Sequence, residues 1–570
     1  MIFGKHALMG TAALVAAVLV SVTFALLPPP RLATPSPSWQ TSPTDVRGVF
    51  HVHTRRSDGT GSMEDVAAAA AKAGLQFVIV TDHGDAVRRP DPPVYRSGVL
   101  CIDAVEISTT GGHYAALGLA PSPYPLAGEP RDVADDVRRL GGFGVVAHPL
   151  SGKTELAWRG WDVPFDGIEW LNGDSLWREA PLPRLLQAGW TYSFRPVGSV
   201  ASLYQRPQTL AKLAALVGGR RVVVLAGTDA HARLGFRDGP EPYVNPVFLR
   251  VPSYQVMFEM ASLRVRLPGP LSRNAPSDAD AVVAAIRAGH VHSVVDAIAG
   301  PAAFDFSATS GGVSASEGDV LTMSDPVVVR TRANLPAGGW LVLFRNGVQV
   351  HRVAAQELTY ASDQPGHYRA EAWVPAHGRE GFVPWIVGNP IYVGGLGSAQ
   401  APPQPDMTGP TFWLEVFDPL WGVEHDEGSQ ATIEREGGRI ALRYALGRGT
   451  AVAPYAALSF TTSIDGRATG IAFRAAADRP MRLSIQLRVP TQGDGHRWQR
   501  SVYLDPTVRE IVIPFAEMRA VGATPARSPQ LAGVRTVLFV VDTVNTRRGS
   551  AGRFALDKVR FFSPDTTPPR

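Results

Sequence analysis

Residues 51 to 59 read His51-Val-His53-Thr-Arg-Arg-Ser-Asp58-Gly59 and follow a short apolar run from Val46 to Phe50. Side chains alternate across a strand, so two imidazoles two residues apart face the same way and can reach one cation. Asp58, in a Ser-Asp-Gly turn, can reach a neighbouring cation. A bare His-x-His pair also arises by chance on strands, so its meaning depends on the residues downstream.

From Val46 to about Gly300 short apolar runs alternate with amphipathic segments, the pattern of β/α units around a mainly parallel sheet. Met63 to Ala73, alanine-rich after Ser62, predicts a helix leading into a strand from Gln76 to Val80 that ends in Thr81-Asp82-His83-Gly84. A strand from Val99 to Val105 ends at Glu106, and one from Tyr114 to Leu119 is preceded by Gly111-Gly112-His113. A helix from Asp132 to Leu140 leads to Gly144-Val-Val-Ala-His148-Pro149, then Gly167-Ile-Glu169-Trp170, and Arg221-Val-Val-Val-Leu-Ala-Gly-Thr-Asp229-Ala-His231 repeats the arrangement. Chemistry in barrels of parallel strands gathers at the carboxyl ends of the strands. Six of the 14 histidines (51, 53, 83, 113, 148, 231) fall into this set with Asp58, Glu106 and Asp229. Imidazoles and carboxylates without thiolate suit Zn, Mn or Fe. Nine ligands exceed what one cation takes.

His-x-His-x4-Asp-Gly, Thr-Asp-His, a strand-terminal Glu and Gly-Thr-Asp-Ala-His, in this order, resemble the PHP family, named for polymerase and histidinol phosphatase. The resemblance covers roughly residues 46 to 300 and implies a distorted seven-stranded β/α barrel with two or three divalent metal ions. By motif position it implies that His51, His53, Glu106 and Asp229 bind the first metal. Glu106 would bridge to a second held by His113 and His148, and Asp58, His83 and His231 would hold the third. Val251-Pro-Ser-Tyr-Gln-Val-Met-Phe through Val265 resembles an insert in the extracytoplasmic branch that includes carbaryl hydrolases. In the segment between Ala232 and Asp278, richer in Pro and aromatics, Tyr243, Pro246, Phe248, Tyr254, Phe258 and Met260 either wall an organic substrate or pack the loop. The amidohydrolase superfamily also opens with His-x-His, but its bridging lysine at a strand end has no counterpart here.

Close-set divalent cations lower the pKa of a water and neutralise charge on the attacked and leaving oxygens. The expected activity is therefore metal-activated hydroxide attack on a phosphoester, with a carbamate or carboxylic ester as the alternative. Asp82 is read as a group that orients a ligand or water from behind. Arg55 and Arg56 lie between the ligands, where an arginine can hold a phosphate at two points or remain a solvated loop charge. Glu169 and Asn172 are candidates to line the pocket. His290 and His292 form a second His-x-His with no carboxylate turn after it and read as structural. His6, His351, His367, His377, His425 and His496 have no ligand-spaced partners.

The 570 residues exceed one core. Net charge is +4 from 55 basic and 51 acidic groups with no basic stripe, so no nucleic-acid partner is expected. The single cysteine, Cys101, excludes an internal disulfide and a thiolate cluster and reads as core filler. Residues 7 to 27 carry no charge, enough to cross a bilayer at about 1.5 Å per residue. Segment 1–27 is thus expected to be a signal anchor, or else a cleaved signal peptide. The expected location is the cell membrane, single-pass, with the catalytic part outside the cytoplasm; the alternative is secretion. Residues 28–45, rich in Pro and Ser, read as a tether.

After Gly300 the pattern turns to strands, with Asn346-Gly347 as a hairpin signal. An Ig-like β-sandwich is expected over 301–397. A Gly, Pro and Gln-rich linker from Gly394 to Pro410 leads to a jelly roll over 404–570, loosely similar to carbohydrate-binding domains. Trp421 and Trp498 there either stack on sugar rings or pack the core. The partners expected are a small-molecule or glycan-linked ester substrate, a polysaccharide at the C-terminal domain and the membrane at the N-terminal helix. A non-catalytic glycan-binding surface protein with a metal-stabilised barrel is the alternative of another class.

Overall fold

In the computed structural model, residues 2–39, 44–217, 220–234, 249–376, 380–395, 405–450, 453–491, 493 and 495–564 are described, the side chains of 2–10, 216 and 217 apart. Strand outweighs helix, 39% against 18%. Asp45–Phe50 pairs in parallel with Phe77–Val80, which pairs in parallel with Val99–Asp103. Phe77–Val80 reads Phe-Val-Ile-Val and is buried throughout, as expected for a strand covered on both faces. The flanks of this trio are antiparallel. Ser262–Arg266 lies beside Asp45–Phe50 and Val94–Arg96 beside Val99–Asp103.

The other ligand-bearing strands form a second sheet, in the order Val223–Gly227, Gly167–Asn172, Phe143–Val146, Gly112–Leu117, Val105–Thr109. Its two edges meet the first sheet through single-residue bridges, Val52 with Ala230 and His83 with Glu106. The expected distorted, TIM-like seven-stranded β/α barrel is corrected accordingly: the strands build two sheets, each with its own continuous ladder, that meet at their edges through isolated bridges, in a chain richer in strand than in helix. The backbone gives the reason. His51 and Asp229 hold φ of 67° and 49°, left-handed values just before Val52 and Ala230, so the pairing there is an isolated bridge and not a continuous ladder; His148, after an interior strand of the second sheet, holds 29°.

The first sheet also continues past Gly300, because Val291–Val294 pairs antiparallel with Phe382–Val387. Asn346 and Gly347 both take positive φ (50° and 79°), the turn that joins Trp340–Arg345 to Val348–Val353. The chain divides into two compact units: Met1–Gly84, Arg89–Ala120 and Glu129–Ala399; and Asp85–Arg88, Pro121–Gly128 and Gln400–Arg570. The second is built on two antiparallel six-stranded sheets. Met481–Val489 and Arg509–Pro514 are strands of these sheets. Trp421 and Trp498 are 5% and 1% exposed within its core, so neither offers a face to a sugar.

The apolar N-terminal segment forms the helix Ile2–Leu26. No helix among the described residues is long and apolar enough to cross a membrane. This corrects the expected signal anchor and the single-pass cell-membrane placement. The last turn of the helix instead has partners far along the chain. Gln187 Nε2 donates to the Leu26 carbonyl at 3.0 Å and Trp190 Nε1 to Thr23 Oγ1 at 3.2 Å, both from the helix Leu182–Tyr192. The proline-rich segment is extended but docked, with Leu32–Ala33 paired to Ala299–Gly300.

Candidate metal centre

The loop after Asp45–Phe50 is held from below by Asp82. Its Oδ1 accepts the Thr54 N–H and the Ser57 hydroxyl, each at 2.7 Å, and its Oδ2 accepts the Thr54 hydroxyl at 2.7 Å. A Cβ on Gly59 would collide with the His53 carbonyl, so the turn that presents Asp58 needs glycine. Tyr254 Oη donates to the same carbonyl at 2.7 Å and accepts the Gly61 N–H at 3.1 Å. Tyr254, Phe258 and Met260 are buried, and Tyr254 packs against this loop. Tyr243, Pro246 and Phe248 lie outside the described residues. The supporting contacts of Thr54, Ser57 and Tyr254 have no sequence signal beyond the Ser-Asp-Gly turn.

Glu106, 1% exposed, stands among five imidazoles. Its Oε2 is 3.1 Å from Nε2 of His51, 3.1 Å from Nε2 of His53 and 3.4 Å from Nδ1 of His83. Its Oε1 is 2.9 Å from Nδ1 of His113 and 3.0 Å from Nε2 of His148. Asp229 Oδ1 lies 3.2 Å from Nε2 of both His51 and His53. Asp58 Oδ2 is 3.2 Å from His231 Nε2 and 3.9 Å from His83 Nε2.

All nine residues named from sequence thus converge. Their ligand atoms form four groups, each within 4.8 Å: His53, Asp58, His83 and His231; His51, His53 and Asp229; His51, Glu106 and His148; His83, Glu106 and His113. These groups overlap more than three separate motif sets: His53 also faces the Asp58 group, and although His113 and His148 both approach Glu106 Oε1, His113 groups with His83 and His148 with His51. The donors fit hard or borderline divalent cations. His53 Nε2 is buried and makes no hydrogen bond although two carboxylate oxygens lie 3.1 and 3.2 Å away, an arrangement that suits a shared cation better than a proton.

Burial opposes every charge here, and mutual attraction overrides it for most. The His53 imidazole, which burial alone would depress, is held at about 10 by Asp229, Glu106 and Asp58. Burial would raise the carboxyls of Glu106 and Asp229, yet the surrounding imidazoles hold both well below the usual range. His83 goes the other way, to about 4, because burial combines with the nearby His53 and His113 against Glu106 and Asp58.

Glu169 is fully buried behind His51, and Asn172 beside it reaches Asp229. Arg56 pairs with Asp103 at 3.0 Å and with Asp91, so its charge is engaged in the loop. Arg55 is exposed on the side of Glu64 and Asp65, whose carboxyls are held low chiefly by backbone hydrogen bonds at Glu64 and Ser62, with Arg55 adding a small attraction. A cavity of about 350 Å³ adjoins the cluster, with His148, Glu169 and Asn172 at one end and Gln205, Arg206 and Thr209 elsewhere on its wall. His290 and His292 take separate partners, Asp319 at 2.9 Å and Glu317 at 3.2 Å.

No protein-family model matches the chain, and no curated protein does. Among solved structures, the family 11 carbohydrate-binding module of the cellulosomal cellulase Lic26A-Cel5E of Clostridium thermocellum is 18% identical; the match covers 27% of this chain and 95% of the module at a TM-score of 0.23. A protein described as CBM4 is 14% identical over 25% of this chain and 86% of its own, at 0.18. The agarase AgWH50C is 10% identical over 28% of this chain and 25% of its own, at 0.20.

Proposed function

We propose that this chain is a metal-dependent hydrolase acting on phosphoesters, with carbamates or carboxylic esters as the rival substrates. The observation that carries the reading is Glu106, a buried carboxylate with five imidazole nitrogens within 3.4 Å of its two oxygens. Divalent cations bound there would acidify a water and neutralise charge on the ester oxygens. Asp229 and Asp58 would complete the cation cradle, while Asp82 fixes the loop that carries His53 and Asp58. The adjoining cavity gives a substrate's organic part a place beside His148. Three divalent cations would outweigh the charges of Asp58, Glu106, Glu169 and Asp229, and a net positive site favours an anionic phosphoester over a neutral carbamate.

The test is hydrolysis of aryl phosphate, aryl ester and aryl carbamate by the full chain loaded with Mn²⁺ or Zn²⁺. Phosphatase activity abolished by His51→Ala supports the reading. Activity on none of the three, with less than one metal ion per chain by elemental analysis, overturns it.

A second reading, glycan binding by the C-terminal unit, is favoured by a different observation: Phe412, Trp413 and Phe417 are 55%, 47% and 74% exposed. Exposed aromatic faces are platforms for sugar rings. Retardation of the full chain in polysaccharide gels, lost in Trp413→Ala, tests it; equal migration with and without polysaccharide sinks it.

A further inference from the structure

We infer that Glu169 is a positioning residue that fixes the orientation of His51 and couples it to His148 and Asp229, so that one buried carboxylate controls part of the metal complement and not all of it. The inference rests on the metal-site reading above.

Glu169 Oε1 accepts from His51 Nδ1 at 2.6 Å. That bond places a proton on Nδ1 and leaves Nε2, which faces Glu106 and Asp229, free to give its lone pair to a cation shared with those two carboxylates. The other oxygen, Oε2, accepts the His148 backbone N–H at 2.7 Å and the Asn172 side-chain amide at 3.0 Å. The same amide nitrogen reaches Asp229 Oδ2 at 3.2 Å. One carboxylate is thus tied to a ligand's ring, a second ligand's backbone and, through Asn172, a third ligand's carboxylate. All of its partners are donors. The sequence protects the arrangement, because a Cβ at Gly227 would occupy the place of Glu169 Oε1.

An amide cannot replace this group. Either face of a glutamine NH₂ would meet a donor, the His51 Nδ1–H on one side or the His148 N–H and Asn172 amide on the other. Relief by moving the His51 proton to Nε2 would remove that nitrogen from the cation. The groups holding His51 should therefore weaken, whereas the group of His53, Asp58, His83 and His231 contains no partner of Glu169.

The experiment compares the full-length wild type with Glu169→Gln by metal content and by the visible spectrum after Co²⁺ loading. The expected result is a loss of about one ion per chain or a roughly 10–100-fold weaker affinity for it, a changed Co²⁺ spectrum, and retention of an ion that His231→Ala then removes. A wild type that loads beside a glutamine variant with equal content and an unchanged spectrum overturns this inference alone. A wild type that takes up no metal overturns it together with the hydrolase reading. If Glu169→Gln fails to fold by circular dichroism, Asn172→Ala stands in, with a smaller loss at the same ion expected and an unchanged spectrum overturning the coupling.

Discussion

His83 and Glu106 meet in a single parallel bridge at the seam between the two sheets. The Gly84 N–H donates to the Glu106 carbonyl at 3.0 Å and the Glu106 N–H to the Asp82 carbonyl at 3.2 Å. The residues that join the sheets are thus next to, or are themselves, the residues that point into the cluster. Glu106→Gln should lower metal content by at least one ion and hydrolysis by more than about 100-fold, since a direct ligand outweighs the 10–100-fold typical of a supporting partner. Elemental analysis with steady-state kinetics checks it; full metal content in the variant would show that Glu106 is not a ligand.

The Asp82 carboxylate holds the loop and belongs to none of the four cation groups. Asp82→Asn keeps the shape but turns one acceptor into a donor, and the cost expected from a buried unsatisfied group is about 1–3 kcal/mol. Thermal unfolding in chelator measures that loss. Metal titration should then show weaker binding at the ion that needs Asp58, with the ion near His148 retained.

The metal-free chain should be most stable near neutral pH. His53 titrates at 6.5 by default and at about 10 when folded, so its stabilisation is complete below 6.5 and is lost as pH rises toward 10. His83 is lowered from 6.5 to about 4, so its folded neutral form stabilises above 6.5 and that contribution is lost as pH falls toward 4. Melting temperatures in chelator from pH 4 to 10 should pass through a maximum; a steady rise to pH 10 contradicts the His53 assignment. Metal uptake displaces protons, so affinity should rise with pH over the same range.

Arg55 and Arg56 separate by the same logic. Arg56→Ala removes the bond to Asp103 and should cost about 1 kcal/mol of stability. Arg55→Ala, at an exposed position, should leave both stability and the KM for aryl phosphate within about twofold. A tenfold rise in KM would instead make Arg55 the phosphate contact read from its place in the motif.

Trp421 is a core residue, with its ring 4.8 Å from Phe460 and its Nε1 donating to the Glu415 carbonyl at 2.9 Å. Trp421→Ala should destabilise the C-terminal unit by about 3–5 kcal/mol. A variant that melts like the wild type but loses polysaccharide affinity would reverse this assignment.

What the sequence by itself determined is local. Asn346-Gly347 specified its hairpin, and motif spacing named nine side chains that the fold brings within reach of each other. These come from near neighbours: period-two side chains, turn residues that tolerate positive φ, and ligands at strand ends. What only the tertiary structure decided depends on residues far apart in the chain. The antiparallel Ser262–Arg266 and Val94–Arg96 flank the parallel trio, and left-handed His51 and Asp229 reduce the pairing beside them to an isolated bridge, so the ligand-bearing strands lie in two sheets that meet at their edges. The N-terminal helix finds Gln187 and Trp190 beside its last turn, partners that no window on the apolar segment contains. Glu169 became more than a pocket residue only when folding set it against His51, because a hydrogen bond across 118 residues leaves no spacing to read.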